Sequence, residues 1–600
     1  MPNKHYMNKE VSKIFYEMAV LFEMKKVEFK PRAYEKAADS IESLAEDVGD
    51  IYKHGGLKAL EDVSGVGASI GEKIEEYIKT HHVKEYEKLK KSIPVDIEGL
   101  TAIEGIGPKT ILRLYKKLGI KNRDQLEKAA TEGKLVKSGF GTKTEENILK
   151  GINFLKKEHG RYLLGEIMPV AETILGQIRA LPEVESAEFG GSLRRMQETV
   201  GDLDFVAFSD QPAEVIEKFL KFPEIKSVHS KGEHKALVRL RIDTDADIWV
   251  ISPKSLGSAL IAVTGDKQHN IALRTLAEKK GWMLNDYGLW QGNPRMQQAE
   301  QQPNGAVAAW PSSYDGKTLL VSKTEEEVYK KLGMDWIPPE IRNNTGEIEA
   351  ALEGKLPNLV GYGDIKGDLQ IQTDWTDGEN SIEEMAKAAS ELGHEYIVIT
   401  DHTKSLAMTG GSDEKRLVKQ MAAIDEINRK FESSKFKVLK GAEVNIMKDG
   451  TLDIDDKTLA KLDVVGAAVH SSFNMSEKEM TARIIKAMEN PNVDIIFHPT
   501  GRVIQKREAY KVDVHELIKA AKRTKTVLEI DAFPSRLDLK DEYIRQAVEA
   551  GVKLAIDTDA HATAHLEYLK FGIGQARRGW AEKKDIINAH SWQEMLKLLK

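Results

Sequence analysis

From residue 361 onward the sequence keeps one rhythm, an apolar strand followed by an amphipathic helix, and strand after strand ends in a residue able to hold a metal. SIEEMAKAASELG has helical spacing, and EYIVIT reads as a buried strand running into Asp401-His402. VVGAAV runs into His470, VDIIF into His498, TVLEI into Asp531 and KLAIDTDA into His561, while KVLKGAEVNI carries Glu443. Strands alternating with helices build a parallel sheet, and polar residues at the C-terminal ends of its strands are the layout of an α/β-barrel active site. One such histidine is more often structural. Four of them, with a glutamate and aspartates at the same point of the repeat, predict a shared site. Imidazole and carboxylate suit Zn²⁺, Mn²⁺ or Fe²⁺ better than Ca²⁺, and a cluster of such ions hydrolyses phosphoesters.

A second concentration of chemistry lies in FGGSLRRMQETVGDLDFVAF, residues 189–208. Asp202 and Asp204 are two apart in a run with strand character, so both carboxylates leave one face near the strand's start. Paired carboxylates on a rigid strand hold hard divalent cations, and Mg²⁺ usually combines such groups with substrate phosphates. Gly190-Gly191-Ser192 offers close backbone approach to a triphosphate, and Arg194 and Arg195 add fixed positive charge. The rival reading of Asp-x-Asp alone is an edge strand with solvated acids. Further on, DADIWVI is predicted to place Asp243, Asp245 and Asp247 on one face. Asp247, followed by a clean apolar strand, is the candidate third carboxylate. Around it, a helix is expected near 165–180 and strands near 184–190, 202–208, 225–230, 235–242 and 246–251.

The first 90 residues have helical periodicity, with Val11, Ile14, Phe15, Met18, Ala19 and Phe22 on one stripe. A Gly-apolar-Gly turn opening a helix then occurs three times: Gly65-Val66-Gly67, Gly105-Ile106-Gly107 with Lys109, and Gly139-Phe140-Gly141 with Lys143. Glycine lets such a turn approach a phosphate, and the helix start supplies N–H donors and a positive dipole end. A tight turn with packing glycines explains one copy. Three copies with lysines beside them form the helix-hairpin-helix pattern, which grips DNA backbone without reading bases. The net charge of −7 does not weigh against this, because nucleic-acid binding needs only a local basic surface. No apolar run is long enough to span a bilayer, and the absence of cysteine rules out disulfides and thiolate metal sites. A cytoplasmic chain with no membrane association is expected, and no oligomerisation signal stands out, so it is expected to be a monomer.

Together these motifs resemble the bacterial and archaeal family X DNA polymerases fused to a C-terminal polymerase-and-histidinol-phosphatase (PHP) domain, with a core similar to DNA polymerase beta. The resemblance spans nearly the whole chain. It implies a multidomain α+β and α/β protein: residues 1–90 a helical DNA-binding, lyase-like domain; 91–155 a fingers-like helical domain; 156–260 a nucleotidyltransferase palm; 261–342 a small thumb with an insertion at 292–317; 343–360 a linker; and 361–600 a distorted TIM-like PHP barrel. It makes Asp202, Asp204 and Asp247 ligands of Mg²⁺ or Mn²⁺, with Gly191, Ser192, Arg194 and Arg195 near the triphosphate. Thr264-Gly265 matches the nucleotide-pocket turn and Asn270 a residue facing the incoming nucleotide. Lys73 aligns with the lysine that forms a Schiff base at an abasic sugar, and Lys30 and Tyr34 match nearby positions. In the barrel, Asp377, His402, Glu443, His470, His498, Asp559 and His561 match ligands of Zn²⁺ or Mn²⁺.

Four departures carry expectations of their own. Where the family has an aromatic pair before Thr264-Gly265, this chain has Ala262-Val263, so sugar discrimination is expected to be weaker. Ser69 replaces a lysine near Lys73. Gln370 and Gln372 replace the His-x-His of the first barrel motif, weakening two metal-ligand positions and any 3′–5′ exonuclease. Asp531 and Phe533 depart from a stretch expected to contain asparagine. The expected activity is short-gap filling on gapped or primer-template DNA from dNTPs. A DNA-binding scaffold with phosphoesterase activity only, and a template-independent nucleotidyltransferase, remain the competing readings.

Overall fold

The computed structural model describes residues 6–600 apart from 43, 45–46, 64, 102, 104–105, 158–159, 292–317 and 432–435. Gly105 and the insertion expected at 292–317 therefore lie outside the described residues. The N-terminal helices, from Tyr6–Met24 to Thr142–Lys157, share one apolar core that runs from Val11 to Ile152. Its turns use glycine where geometry demands it. Gly65 has φ +74°, and an added Cβ would meet the Lys36 side chain at 2.9 Å.

The palm is a five-stranded sheet of β1 (Ser186–Phe189), β2 (Asp202–Phe208), β3 (Ile225–Lys231), β4 (Lys235–Leu240) and β5 (Asp245–Ile251), in the order β1-β2-β5-β4-β3. Strand alternation divides β2 cleanly. Leu203, Phe205 and Ala207 pack with the helix Leu164–Arg179, while Val206 and Phe208 pack with Ile251, Ala259 and Leu260 on the other face. Asp202 and Asp204 share that second face but precede its apolar part, so they emerge at its edge. The predicted strand DADIWVI is correct from Asp245. Asp243 is not on its face: it occupies the β4–β5 turn with φ +60° and pairs with Lys226. A tight hairpin turn needs a positive φ, which aspartate tolerates better than most residues.

The thumb follows as the helices Leu256–Thr264 and Lys267–Lys279, a three-stranded antiparallel sheet and the helix Glu325–Leu332. Ile348 and Ala351, within the segment read as a linker, are buried in the same core as Leu273 and Tyr329. The C-terminal region is a barrel of seven parallel strands in sequence order: β6 (Gly367–Ile371), β7 (Tyr396–Ile399), β8 (Lys437–Asn445), β9 (Val464–Ala468), β10 (Ile495–Ile496), β11 (Val527–Asp531) and β12 (Leu554–Asp557). A parallel bridge between Ile371 and Ala560 brings the two ends of the sheet together. Leu369, Val398, Leu439, Phe497 and Ala555 fill the interior.

The barrel docks on the palm through a shared core. Ile504, Leu537 and Phe571 of the barrel pack with Leu203 and Phe205 of β2. Arg502 forks onto Glu198, with Nη2 at 2.7 Å, and a Cβ on Gly165 would collide with Pro534 at 2.4 Å. Among the described residues no helix is long and apolar enough to cross a membrane.

Candidate functional site

Parallel pairing of β2 and β5 sets Asp202 beside Asp245 and Asp204 beside Asp247. The alternation that exposes Asp202 and Asp204 on one face therefore sets Asp247 on it too. Lys235, at the start of β4, reaches across to Asp247 Oδ2 at 2.8 Å with its ammonium over the Trp249 ring. Asp247 Oδ1 is buried without a partner. Burial, then the neighbouring carboxylates of Asp202 and Asp247, push Asp204 up to about 7. The cluster is thus short of positive charge, and its free oxygens are hard donors on rigid strands. These residues fit divalent cations of the Mg²⁺ class. Asp245 is turned to other work, facing His229 at 3.3 Å and Arg239 at 3.1 Å.

The glycine loop lies directly against this cluster. Gly190 N–H donates to the Asp204 carbonyl at 2.8 Å, and Gly191 has φ +53°. A Cβ on Gly191 would fall 1.8 Å from Asp204 Oδ2, so only glycine fits. Ser192 is half-buried beside it. The two arginines divide. Arg194 donates to Thr264 Oγ1 at 2.6 Å and forks onto Glu325 at 2.9 and 3.0 Å, so its guanidinium is spent on a palm–thumb bridge. Arg195 Nη1 donates to the Thr264 carbonyl at 2.6 Å, and its Nε is buried without a partner. Both arginines hold the Thr264-Gly265 turn against the face that carries Asp204. Asn270 Nδ2 closes that turn by donating to the carbonyls of Ala262 at 2.8 Å and Gly265 at 3.1 Å, and its Oδ1 is unpartnered.

Sequence reasoning missed the far side of this bridge. Glu325 also accepts from Arg342 Nη1 at 2.6 Å and Trp336 Nε1 at 3.1 Å. Burial alone would raise Glu325, but Arg342 and Arg194 hold it at about 2. The only sequence signal was an acidic first turn, EEEV, which any helix start can carry.

In the N-terminal region Gly67 and Gly107 begin the helices Ala68–Thr80 and Pro108–Leu118 in extended conformation, and Lys109 and Lys143 are exposed. Gly139 has φ +81°; its carbonyl accepts from Arg113 Nη2 at 2.5 Å, and the Ser138 carbonyl accepts from Lys117 at 2.9 Å. Gly141 precedes the helix Thr142–Lys157. Lys73 donates to the Ser69 carbonyl at 2.9 Å and hydroxyl at 3.1 Å and pairs with Glu85 at 3.1 Å. Lys30 shares Glu85 at 2.9 Å, and Tyr34 presents its ring 6.0 Å from Lys73. Ser69 and Glu85 between them thus engage the Lys73 ammonium.

The barrel gathers its predicted ligands at the strand ends. Asp377 Oδ2 lies 3.6 Å from His402 and 3.9 Å from His561, forming an outer group. His402, Glu443 and His470 form an inner one. Glu443 is the hub: His470 and His498 each place Nε2 3.0 Å from its Oε1. Burial favours its neutral form, yet His402 and His470 hold it well below the usual carboxylate range. Gln370 and Gln372 donate to its Oε2 at 3.1 and 2.8 Å, occupying the two positions of the expected histidines. Asp559 sits beside His561 and, with Asp531, faces Arg536 at 3.6 and 3.4 Å. Arg536 was not foreseen. This donor set fits divalent cations as well, through two candidate groups that share His402.

Comparison with known proteins assigns the helical region, the segment after the five-stranded sheet and the barrel to known domain families. Residues 7–83 match the helix-hairpin-helix domain, 97–153 the SAM-like helix-hairpin-helix tandem, 259–343 the DNA polymerase beta thumb and 368–590 the PHP domain. The DNA polymerase/3′–5′ exonuclease PolX of Bacillus subtilis (strain 168) is 36% identical over 596 residues, covering 99% of each chain. The chain belongs to the family X DNA polymerases with a C-terminal PHP domain. DNA polymerase lambda of Arabidopsis thaliana is 26% identical over 56% of this chain and 62% of the relative. A probable phosphatase of Thermoanaerobacter sp. (strain X514) is 33% identical over 31% of this chain and 74% of its own length.

Proposed function

We propose that the chain is a DNA-directed DNA polymerase that fills short gaps during repair, with a 3′–5′ exonuclease in the PHP barrel. The observation that carries the polymerase reading is the register of β2 and β5, which brings Asp202, Asp204 and Asp247 to one edge, where Asp247 Oδ1 is buried without a partner. Two Mg²⁺ or Mn²⁺ ions held there would supply charge to the attacking 3′ oxygen and the departing pyrophosphate. The remaining tasks fall to the chain itself. Gly190 and Gly191 leave room for the triphosphate beside Asp204, and Arg195 offers it a cation from the palm. Arg194, through Glu325, fixes the thumb turn at Thr264-Gly265 where the base and sugar must sit. Preorganised charge of this kind lowers the barrier because nothing has to reorient during the reaction.

Gapped or primer-template DNA would be held by the hairpin turns at Gly67, Gly107 and Gly141, with Lys109 and Lys143 exposed toward the phosphates. Such contacts act without reading sequence, as gap filling requires. The chain would work as a cytoplasmic monomer. The deciding experiment is extension across a one-nucleotide gap with each of the four templating bases. Incorporation that follows the template supports the reading; incorporation indifferent to it would favour a template-independent transferase instead.

A further inference from the structure

We propose that Lys235 is a built-in competitor of the palm metal, its ammonium claiming the Asp247 oxygen that a divalent cation needs until a DNA phosphate draws it away. Metal loading then follows DNA binding. This rests on the reading of the palm as a two-metal polymerase centre and says what regulates that centre.

The placement follows from register. Antiparallel pairing of β4 with β5 sets Lys235 opposite Trp249, Leu237 opposite Asp247 and Arg239 opposite Asp245, so all six lie on the face that carries the carboxylates. Lys235 is thus one diagonal step from Asp247, within reach of a long side chain. Its Nζ lies 2.8 Å from Asp247 Oδ2 and 4.5 Å from the centre of the Trp249 ring. Among the described residues no other cation forms an ion pair with Asp202, Asp204 or Asp247. Asp247 Oδ1 is buried without a partner, so the ammonium satisfies one oxygen of that carboxylate and leaves the other.

The sheet order says which phosphate can reach the ammonium. In β1-β2-β5-β4-β3 the loop Gly190-Gly191 leaves β1 on one side of the carboxylates, and Lys235 stands on β4 on the other. A triphosphate lodged beside Asp204 lies across the cluster from Lys235, so the anion within its reach is a backbone phosphate of the DNA. The Lys235 side chain is 36% exposed and can turn outward. A point charge on a flexible four-carbon stem makes such a move more readily than the rigid fork of an arginine. Trp249 keeps the ammonium near the site once Asp247 has turned to an ion. Coupling of this kind is reciprocal: DNA tightens metal binding by the same factor by which metal tightens DNA binding.

The test measures Mn²⁺ binding to the full chain by electron paramagnetic resonance, independently of catalysis, with and without a duplex carrying a one-nucleotide gap. Palm ions are those that Asp247→Ala loses. Without DNA, Lys235→Met should bind palm Mn²⁺ about tenfold more tightly than wild type, the combined worth of a half-exposed ion pair and the ring beneath it. Arg239→Met removes a cation of the same face that pairs with Asp245, 3.1 Å away. It should change the affinity by no more than about twofold, because charge effects beyond direct contact are screened. Gapped DNA should tighten palm binding about tenfold in wild type and hardly at all in Lys235→Met. Equal affinities of wild type and Lys235→Met without DNA, an equal gain from DNA in both, or an Arg239→Met effect as large as that of Lys235→Met would overturn the proposal. Should Lys235→Met fail to fold, Lys235→Gln decides by the same comparisons. If Asp247→Ala loses no Mn²⁺, the proposal and the two-metal reading fall together. The expected shifts without templated extension would refute the polymerase reading and leave the role of Lys235 standing.

Discussion

Replacing Glu325 with glutamine takes one negative charge from between two guanidinium groups while keeping its shape. The Glu325 side chain is 6% exposed and that of Arg342 is 0% exposed, so water cannot make good the loss. Glu325 lies at about 2 against an ordinary 4.5, a displacement worth roughly 3 kcal/mol. Breaking a buried pair by deleting one partner typically costs about 3–5 kcal/mol, so the two routes agree. In a folding unit the size of palm plus thumb this should lower the melting transition by roughly 6–12 °C at neutral pH. The sign of the pH dependence also follows. A depressed carboxylate binds fewer protons folded than unfolded, so its stabilisation is complete above the unfolded value of 4.5 and lost as pH falls toward about 2. The melting difference between wild type and Glu325→Gln should therefore be constant near neutrality and shrink as acid is added. Calorimetry between pH 7 and pH 3 checks both statements. A shift under about 2 °C at neutral pH would refute the view that this bridge ties palm to thumb.

Other expectations are more local. Gly191→Ala should depress extension by roughly 100-fold or more, because its Cβ would displace the Asp204 carboxylate from 1.8 Å away; single-turnover extension measures it. Ala262→Tyr should raise preference for dNTP over rNTP by roughly tenfold, since a ring would then crowd a ribose 2′ position; an unchanged ratio in competition kinetics would show that the position does not read the sugar. Borohydride trapping on an abasic 5′ end should be weak in wild type and stronger in Glu85→Gln, because Glu85 engages Lys73 at 3.1 Å; trapping unaffected by this change would rule out that restraint.

Legibility in the sequence tracked the range of the interaction. Period-two alternation is local, so Asp202 and Asp204 could be placed on one face, and the repeat of strand and polar end located Glu443, His470, His498 and His561 in the barrel. Asp243 defeated the same rule because a strand pattern does not announce where its hairpin turn ends. Arg194 looked like a phosphate ligand because its motif is local, whereas the group that occupies it, Glu325, is 131 residues away. Gln370 and Gln372 were legible as losses. What they do instead depends on Glu443, some seventy residues on, and on which way each amide is turned.

The central claim is that three carboxylates on paired strands β2 and β5 perform nucleotidyl transfer. Single-turnover extension across a one-nucleotide gap, comparing wild type with Asp247→Ala at saturating Mg²⁺, tests it most directly. The account predicts templated extension by wild type and a loss of at least 1,000-fold in the variant, on the order of removing a charge that acts in the transition state, with DNA binding retained through the hairpin turns. Extension by Asp247→Ala at a rate near that of wild type would contradict it.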